Sequence, residues 1–209
     1  FLKFNLWDVF SGNYRVEEVE VMGGNLQLHV AADGKNNWEV WVDTQNDSAH
    51  FEIQLEEITL SDTRVLYADD PNRFSIDLLA IQTTGSGNFS SKTIDVELSL
   101  DAMVDQITDA GDVYLKTKLV SGEVAFLAEL DSDRYIFQPA QLRVGDVKCE
   151  IAGTVNDKTS GTFGFQIKAK NQSIDDALKV FPPAVARKLL SYHLDGDFSA
   201  SAEVSRNKP

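Results

Sequence analysis

Ile94-Asp95-Val96-Glu97-Leu98-Ser99-Leu100 alternates four apolar side chains with three polar ones, without a break. Successive side chains of a β-strand point to opposite faces, so this stretch has one apolar and one wetted face; a helix would scatter the same residues around its axis. The period recurs on both sides of it. Upstream, Phe74, Ile76 and Leu78 alternate with Ser75 and Asp77, and Leu26, Leu28 and Val30 alternate with Gln27 and His29. Downstream come Val124, Phe126, Ala128 and Leu130, then Phe163, Phe165, Ile167 and Ala169, then Phe198, Ala200, Ala202 and Val204. Val113-Leu115-Thr117-Leu119, Tyr135-Phe137 and Leu142-Val144 read as further strands in between. At ordinary strand lengths this makes roughly a dozen strands.

The breaks between the runs have turn chemistry: Gly23-Gly24, Asp33-Gly34, Asp69-Asp70-Pro71-Asn72, Gly85-Ser86-Gly87, Ser121-Gly122, Asp131-Ser132-Asp133 and Asn156-Asp157-Lys158. Connections this short favour hairpins and an antiparallel meander. In Ile53 to Leu60 the apolar phase slips across Glu56-Glu57, which a β-bulge would absorb, and Leu78-Leu79 makes a similar shift. Bulges of this kind suit a curled sheet.

One segment reads as helix. Ser173 is a good N-cap, Asp175 and Asp176 sit in the first turn, and Ile174, Ala177, Leu178 and Phe181 follow at helical spacing. Pro182-Pro183 stops it, with a further turn or two expected from Ala184 to Ser191. Ala102 to Thr108 is a weaker helical link. So short a helix cannot cover the apolar side of so many strands. The expected fold is therefore mainly β, a long curled antiparallel sheet forming an open trough or partial barrel, with one short C-terminal helix. An exposed apolar furrow of that size calls for an occupant. The residues expected to line it are Phe74, Ile76, Leu78, Ile94, Val96, Leu98, Val124, Phe126, Phe163, Phe165, Ile167 and Phe198.

The 209 residues are 43% hydrophobic, enough for a folded domain, and carry 33 acidic against 19 basic side chains, a formal charge of −14. That charge repels phosphate backbones and argues against nucleic acid as a partner. No chemistry-bearing constellation emerges. His29, His50 and His193 are scattered, and the acidic turns at Asp69-Asp70 and Asp131-Asp133 lack the late glutamate of a calcium loop. The pairs Glu17-Glu18, Glu56-Glu57 and Asp175-Asp176 read as solvated faces or helix-dipole partners. Gly85-Ser86-Gly87 does not open a helix, and no nucleophile elbow is present. Cys149 alternates with Ile151 as a small core residue. No catalytic residue, metal ligand or cofactor is nominated.

Phe10-Ser11-Gly12-Asn13-Tyr14, Val16 to Met22, Leu26-Gln27-Leu28 and the D-G-x-x-N-W turn Asp33 to Trp38 resemble the AsmA-like proteins of Gram-negative bacteria. Phe51 to Tyr67, and the helix, Phe181-Pro182 and Leu194-Asp195-Gly196-Asp197-Phe198 run near the end, extend the resemblance over most of the chain. It implies a periplasmic domain, held in the inner membrane by an N-terminal anchor outside these residues and related to β-groove lipid-transfer proteins. It further implies a role in outer-membrane biogenesis, with phospholipid or another acyl lipid as partner. The chain opens at Phe1 inside an apolar segment, so the expectation is a single domain over residues 1–209 belonging to a longer membrane-anchored protein. Trp7, Trp38 and Trp41 are expected to cap the N-terminal end of the core. The competing expectation is a secreted β-sandwich with a sealed core that binds carbohydrate or protein through exposed loop aromatics such as Trp38 or Tyr135.

Overall fold

The structure is a computed structural model that describes residues 2–4, 14–37, 52–90, 92–132, 134–156, 162–192 and 195–206. For residues 2–4, 14–16, 52, 53, 163, 183, 184, 204 and 206 it describes the backbone alone. Trp7, Trp38 and Trp41 lie outside the described residues.

The described strands are β1 (Leu2–Phe4), β2 (Tyr14–Met22), β3 (Asn25–Val30), β4 (Glu52–Asp69), β5 (Phe74–Ser90), β6 (Thr93–Asp109) and β7 (Asp112–Glu129). A 3-10 turn, Leu130–Ser132, leads to β8 (Arg134–Val144), β9 (Val147–Asn156) and β10 (Thr162–Ser173). Two short helices, α1 (Ile174–Val180) and α2 (Pro183–Leu190), connect β10 to β11 (Asp197–Arg206). All eleven strands belong to one sheet in the order β1-β2-β4-β5-β6-β7-β8-β9-β10-β11, with β3 also on β4. Its first and last strands do not pair, so the sheet is open. From β4 onward every pairing is an antiparallel neighbour pairing.

One pairing departs from the expected meander. β2 and β3 both run parallel to β4, end to end: Met22 pairs with Ser61 and Asn25 with Arg64. Gly23-Gly24 is therefore a kink within one edge line, not a reversal. Gly23 donates its N–H to Ser61, and Gly24 accepts from Arg64 N–H, each at 2.9 Å. Beyond β3 the turn expected at Asp33-Gly34 is present, with Gly34 N–H on Ala31 O at 2.8 Å. Asn37 then explains its place in the motif. Its carboxamide donates to Gln27 O and accepts from His29 N–H, both at 2.9 Å, satisfying two backbone groups on the outer edge of β3.

Four central strands, β4 to β7, run 17 or 18 residues, longer than the 10 to 12 of β8 to β11. Two expected turns prove to be strand interior: β5 runs through Gly85-Ser86-Gly87 and β7 through Ser121-Gly122. The helical link expected over Ala102–Thr108 is part of β6. There the β5–β6 register shifts between Asp77 and Leu78, so Val104 and Ile107 share a face three residues apart, a spacing that imitates a helix. The expected bulge at Glu56-Glu57 is present as a register shift between Leu55 and Ile58.

Glycines on the apolar side of alternate strands make room for their neighbours. A methyl group on Gly85 or Gly122 would strike the side chains of Leu98 or Leu142, at 2.5 and 2.9 Å, and one on Gly153 would overlap the ring of Phe165. Large side chains from β6, β8 and β10 thus lie across β5, β7 and β9. Removing bulk from every second strand lets a sheet bend toward that side.

Gly153→Ala should lower stability by about 1–3 kcal/mol through overpacking against Phe165. Gly164→Ala, whose methyl meets no atom within 4 Å, should stay within about 0.5 kcal/mol of wild type. Urea unfolding checks both; equal midpoints for the two variants would contradict this packing.

Candidate apolar groove

Register and alternation place the expected lining residues on one face. Ile94 pairs with Ala128, Val96 with Phe126 and Leu98 with Val124. Ile76 pairs with Ile107 and Leu78 with Val104, while Phe74 closes the row opposite Asp109 at the rim. Ile167 lies between Ile151 and Ala202, and Phe165 between Gly153 and Val204. Phe198 follows in the same phase as Ala200 and Ala202, opposite Gln172. Phe163 is in register with Val155, and its side chain lies outside the described residues.

Continuity of this face depends on coordinated phase slips. Asp62 and Thr117 have positive φ, 46° and 50°. Each shifts the alternation by one, so that Leu60 is followed by Thr63 and Val65, and Leu115 by Lys118 and Val120, on the apolar side. Leu119, expected in line with Val113 and Leu115, is turned by that slip to the other face, where it pairs with Met103 and is exposed. Thr63 is fully buried, its hydroxyl bonded to Val21 O and Ser61 O, so its polar atom is satisfied.

On β6 burial separates the two faces. Along β6, Asp95, Glu97, Ser99 and Asp101 are exposed, while Ile94, Val96, Leu98 and Leu100 are partly covered and Ala102 and Val104 buried. The buried apolar residues are Ala80, Ala102, Val104, Val120, Ala128, Ala140, Val147 and Ala177. No Leu, Ile or Phe among the described residues is in that set. In a closed sandwich the large apolar side chains are the ones sealed from water. Here they shield one another only in part, as on the inner side of a curled sheet. Of the two helices, α1 meets the sheet chiefly at β9 and β10.

An aromatic chain crosses the face. Phe126 lies 5.0 Å from Phe137 and 6.2 Å from Tyr135, and Phe137 reaches Phe165 at 5.4 Å over Gly153 of the intervening strand. Aromatic pairs at such separations are favourable beyond their buried area. Tyr135, expected as a loop aromatic of a sandwich module, is instead a half-buried member of this stack in β8.

The opposite face carries ion pairs alongside apolar side chains such as Leu79, Met103, Leu127 and Ile136. Arg64 makes a two-pronged contact with Asp77, at 3.0 and 2.5 Å, that holds its guanidinium pKa above the usual value, and it lies 3.5 Å from Asp105. Lys168 meets Glu150 at 3.7 Å. A hollow of about 400 Å³ among Gln54, Glu56, Asn88 and Glu97 opens on this face, and another of about 340 Å³ lies by Leu119, Gly145 and Val180.

Among the described residues no cluster of three or more His, Cys, Asp or Glu could hold a metal ion. The acidic turn at Asp69 to Asn72 is closed on itself: Asp69 accepts from Asn72 N–H at 3.0 Å and from its carboxamide at 2.9 Å, and Asp70 pairs with His29 at 3.0 Å. These contacts explain the acidic residues as turn chemistry. Cys149 sits on the apolar face between Leu142 and Ala169, and burial raises its thiol pKa. A raised pKa means less thiolate at a given pH. Iodoacetamide should therefore label Cys149 more slowly in the folded protein than in urea, with the folded-state rate rising at higher pH. Equal rates in the two states would contradict this placement.

Comparison with known proteins finds no family model, no curated protein and no solved structure that matches the chain.

Proposed function

We propose that the chain is a non-enzymatic lipid-handling domain that shelters acyl chains along the apolar inner side of its curled sheet. The observation that carries this reading is the burial pattern. The apolar rows are continuous across β4 to β10, yet their large side chains are only partly covered, and no second layer of described residues lies over them. Apolar area left in water is unfavourable by roughly 25 cal/mol per Å². Acyl chains laid along the rows would remove that area without a bond being made or broken. Selectivity would then follow the width of the groove more than any hydrogen-bond pattern, since the rows offer methyl groups and rings. The sequence resemblance to the AsmA-like family supplies the setting for this reading: a periplasmic location, attachment to the inner membrane through a segment outside these residues, and a part in outer-membrane biogenesis.

Native mass spectrometry of gently purified protein, together with titration of a fluorescent fatty acid, tests the reading. The protein is expected to retain acyl lipid and to bind the probe. Val96→Asp and Leu98→Asp, on the apolar face, should each weaken probe binding about tenfold or more, a loss of about 1.4 kcal/mol. Ser99→Asp, one residue away on the polar face, should leave it unchanged. Binding that is absent in the wild type, or indifferent to which face carries the new charge, would overturn the proposal.

A further inference from the structure

Lys118 is a cation on the apolar face. It pairs with Val104 of β6 and lies two residues from Val120, both buried, and it is itself half-buried. Apart from carboxylates at the strand ends, it is the one charged side chain on the inner rows of β5 to β8 among the described residues. Its ammonium forms no ion pair or hydrogen bond with them. The backbone is strained to put it there. Unbroken alternation from Val113 and Leu115 would carry Thr117 and Leu119 to the inner side and leave Lys118 in water. Instead Thr117 takes a φ of 50°, where a β-branched residue is an outlier, and the slip turns Lys118 inward and leaves Leu119 49% exposed. Exposing a leucine and half-burying an unpaired ammonium are both unfavourable for the protein alone. Such strain clusters at functional positions. The comparable slip at Asp62 brings in Thr63, whose hydroxyl is bonded within the sheet; the slip at Thr117 brings in a charge that the sheet does not pair.

There is room beside it. β8 ends at Val144, where Gly145 N–H meets Leu119 O at 2.8 Å, so Lys118 borders the step that follows. The hollow of about 340 Å³ lies in that step, between Lys118 and Val180. Asp146 and Lys179 also border it, and Lys179 is held by Asp176 at 2.7 Å. In the other direction the inner row of β7 runs from Lys118 through Val120 and Val124 to Phe126, about 27 Å at roughly 3.4 Å per residue. One acyl chain fills about half of a ~30 Å bilayer core, so a lipid held by its head at Lys118 has apolar side chains under its whole length. We propose that Lys118 fixes the orientation of the bound lipid by pairing with the oxyanion of its head, a carboxylate or a phosphate, while the acyl chain runs along β7 toward Phe126. This rests on the groove reading and adds a ligand class to it: anionic acyl lipids in preference to neutral ones.

Calorimetric titration of the full chain with decanoate and with decanol tests it. A net charge of −14 by itself favours the neutral ligand, so a preference for the anion is diagnostic. The wild type should bind decanoate about tenfold more tightly than decanol. Lys118→Met, which keeps an unbranched side chain without the charge, should weaken decanoate binding about tenfold and leave decanol unchanged, while Lys118→Arg should keep the preference. Lys118→Met should unfold at the same or a higher urea concentration than the wild type, showing that it is folded. Short-chain phosphatidylglycerol against the matching diacylglycerol makes the same comparison for phosphate, and a preference within one pair alone names the head that Lys118 takes. Equal wild-type affinity for charged and neutral ligands in both pairs, or a preference that survives Lys118→Met, would overturn the inference and leave the groove reading standing. A wild type that binds none of the four ligands would overturn both.

Discussion

Water is kept from the long apolar rows of β4 to β10 chiefly by the rows themselves, because no second sheet of described residues lies across them and the helices meet the sheet at one side. An antiparallel sheet with one apolar face normally buries that face against another layer. With no such layer, the remaining physical option is curvature. Bending toward the apolar side brings side chains of neighbouring rows together and reduces the area each leaves in water. The small residues Ala80, Ala102, Ala128 and Ala140 become buried this way, while the larger ones around them stay partly open.

Curvature makes demands on sequence that are visible strand by strand. Bulk must be removed from the inner side, and Gly85, Gly122 and Gly153 do this on β5, β7 and β9 beneath Leu98, Leu142 and Phe165. Long strands must also be kinked without losing phase, and the positive-φ residues Asp62 and Thr117 and the register shifts at Leu55/Ile58 and Ala80/Thr84 do that. The exposed outer stretch of β7 beyond β8 is blunted by the bulge at Thr117 and by Lys116 and Lys118, devices that discourage unwanted strand addition. The acidic outer face keeps so large a sheet dispersed.

Much of this was legible in the chain because the strand period is so regular. Ile94 to Leu100 fixes β6 and its inward row, and Phe74 to Leu78 and Phe165 to Ala169 do the same for β5 and β10. Glu56-Glu57 announced its bulge, and Ser173 with Pro182-Pro183 announced the helix and its break, although the Ser173 side chain makes no capping hydrogen bond. What was hidden has one cause: two local readings of the same residues. Gly85-Ser86-Gly87 and Ser121-Gly122 have turn composition, yet Thr83, Gly85, Gly87 and Phe89 keep the alternation in phase, and the glycines serve as space beneath large side chains. Ala102 to Thr108 acquired a helical spacing from a register shift. The parallel pairing of β2 and β3 with β4 depends on the path of the chain between them, which local periodicity does not encode. Of the groove candidates, register gathers those with described side chains on one face, but alternation carries no measure of how far each is covered.

The central claim is that the inner face is accessible, and methyl NMR of the folded protein titrated with a soluble short-chain acyl lipid tests it most directly. An accessible inner face gives progressive shifts in the methyls of Val96, Leu98, Val124, Ile151 and Ile167, with those of the outward Leu66 and Ala152 unmoved. Methyl resonances of the inner face that ignore the lipid and show the protection of a sealed interior would contradict it.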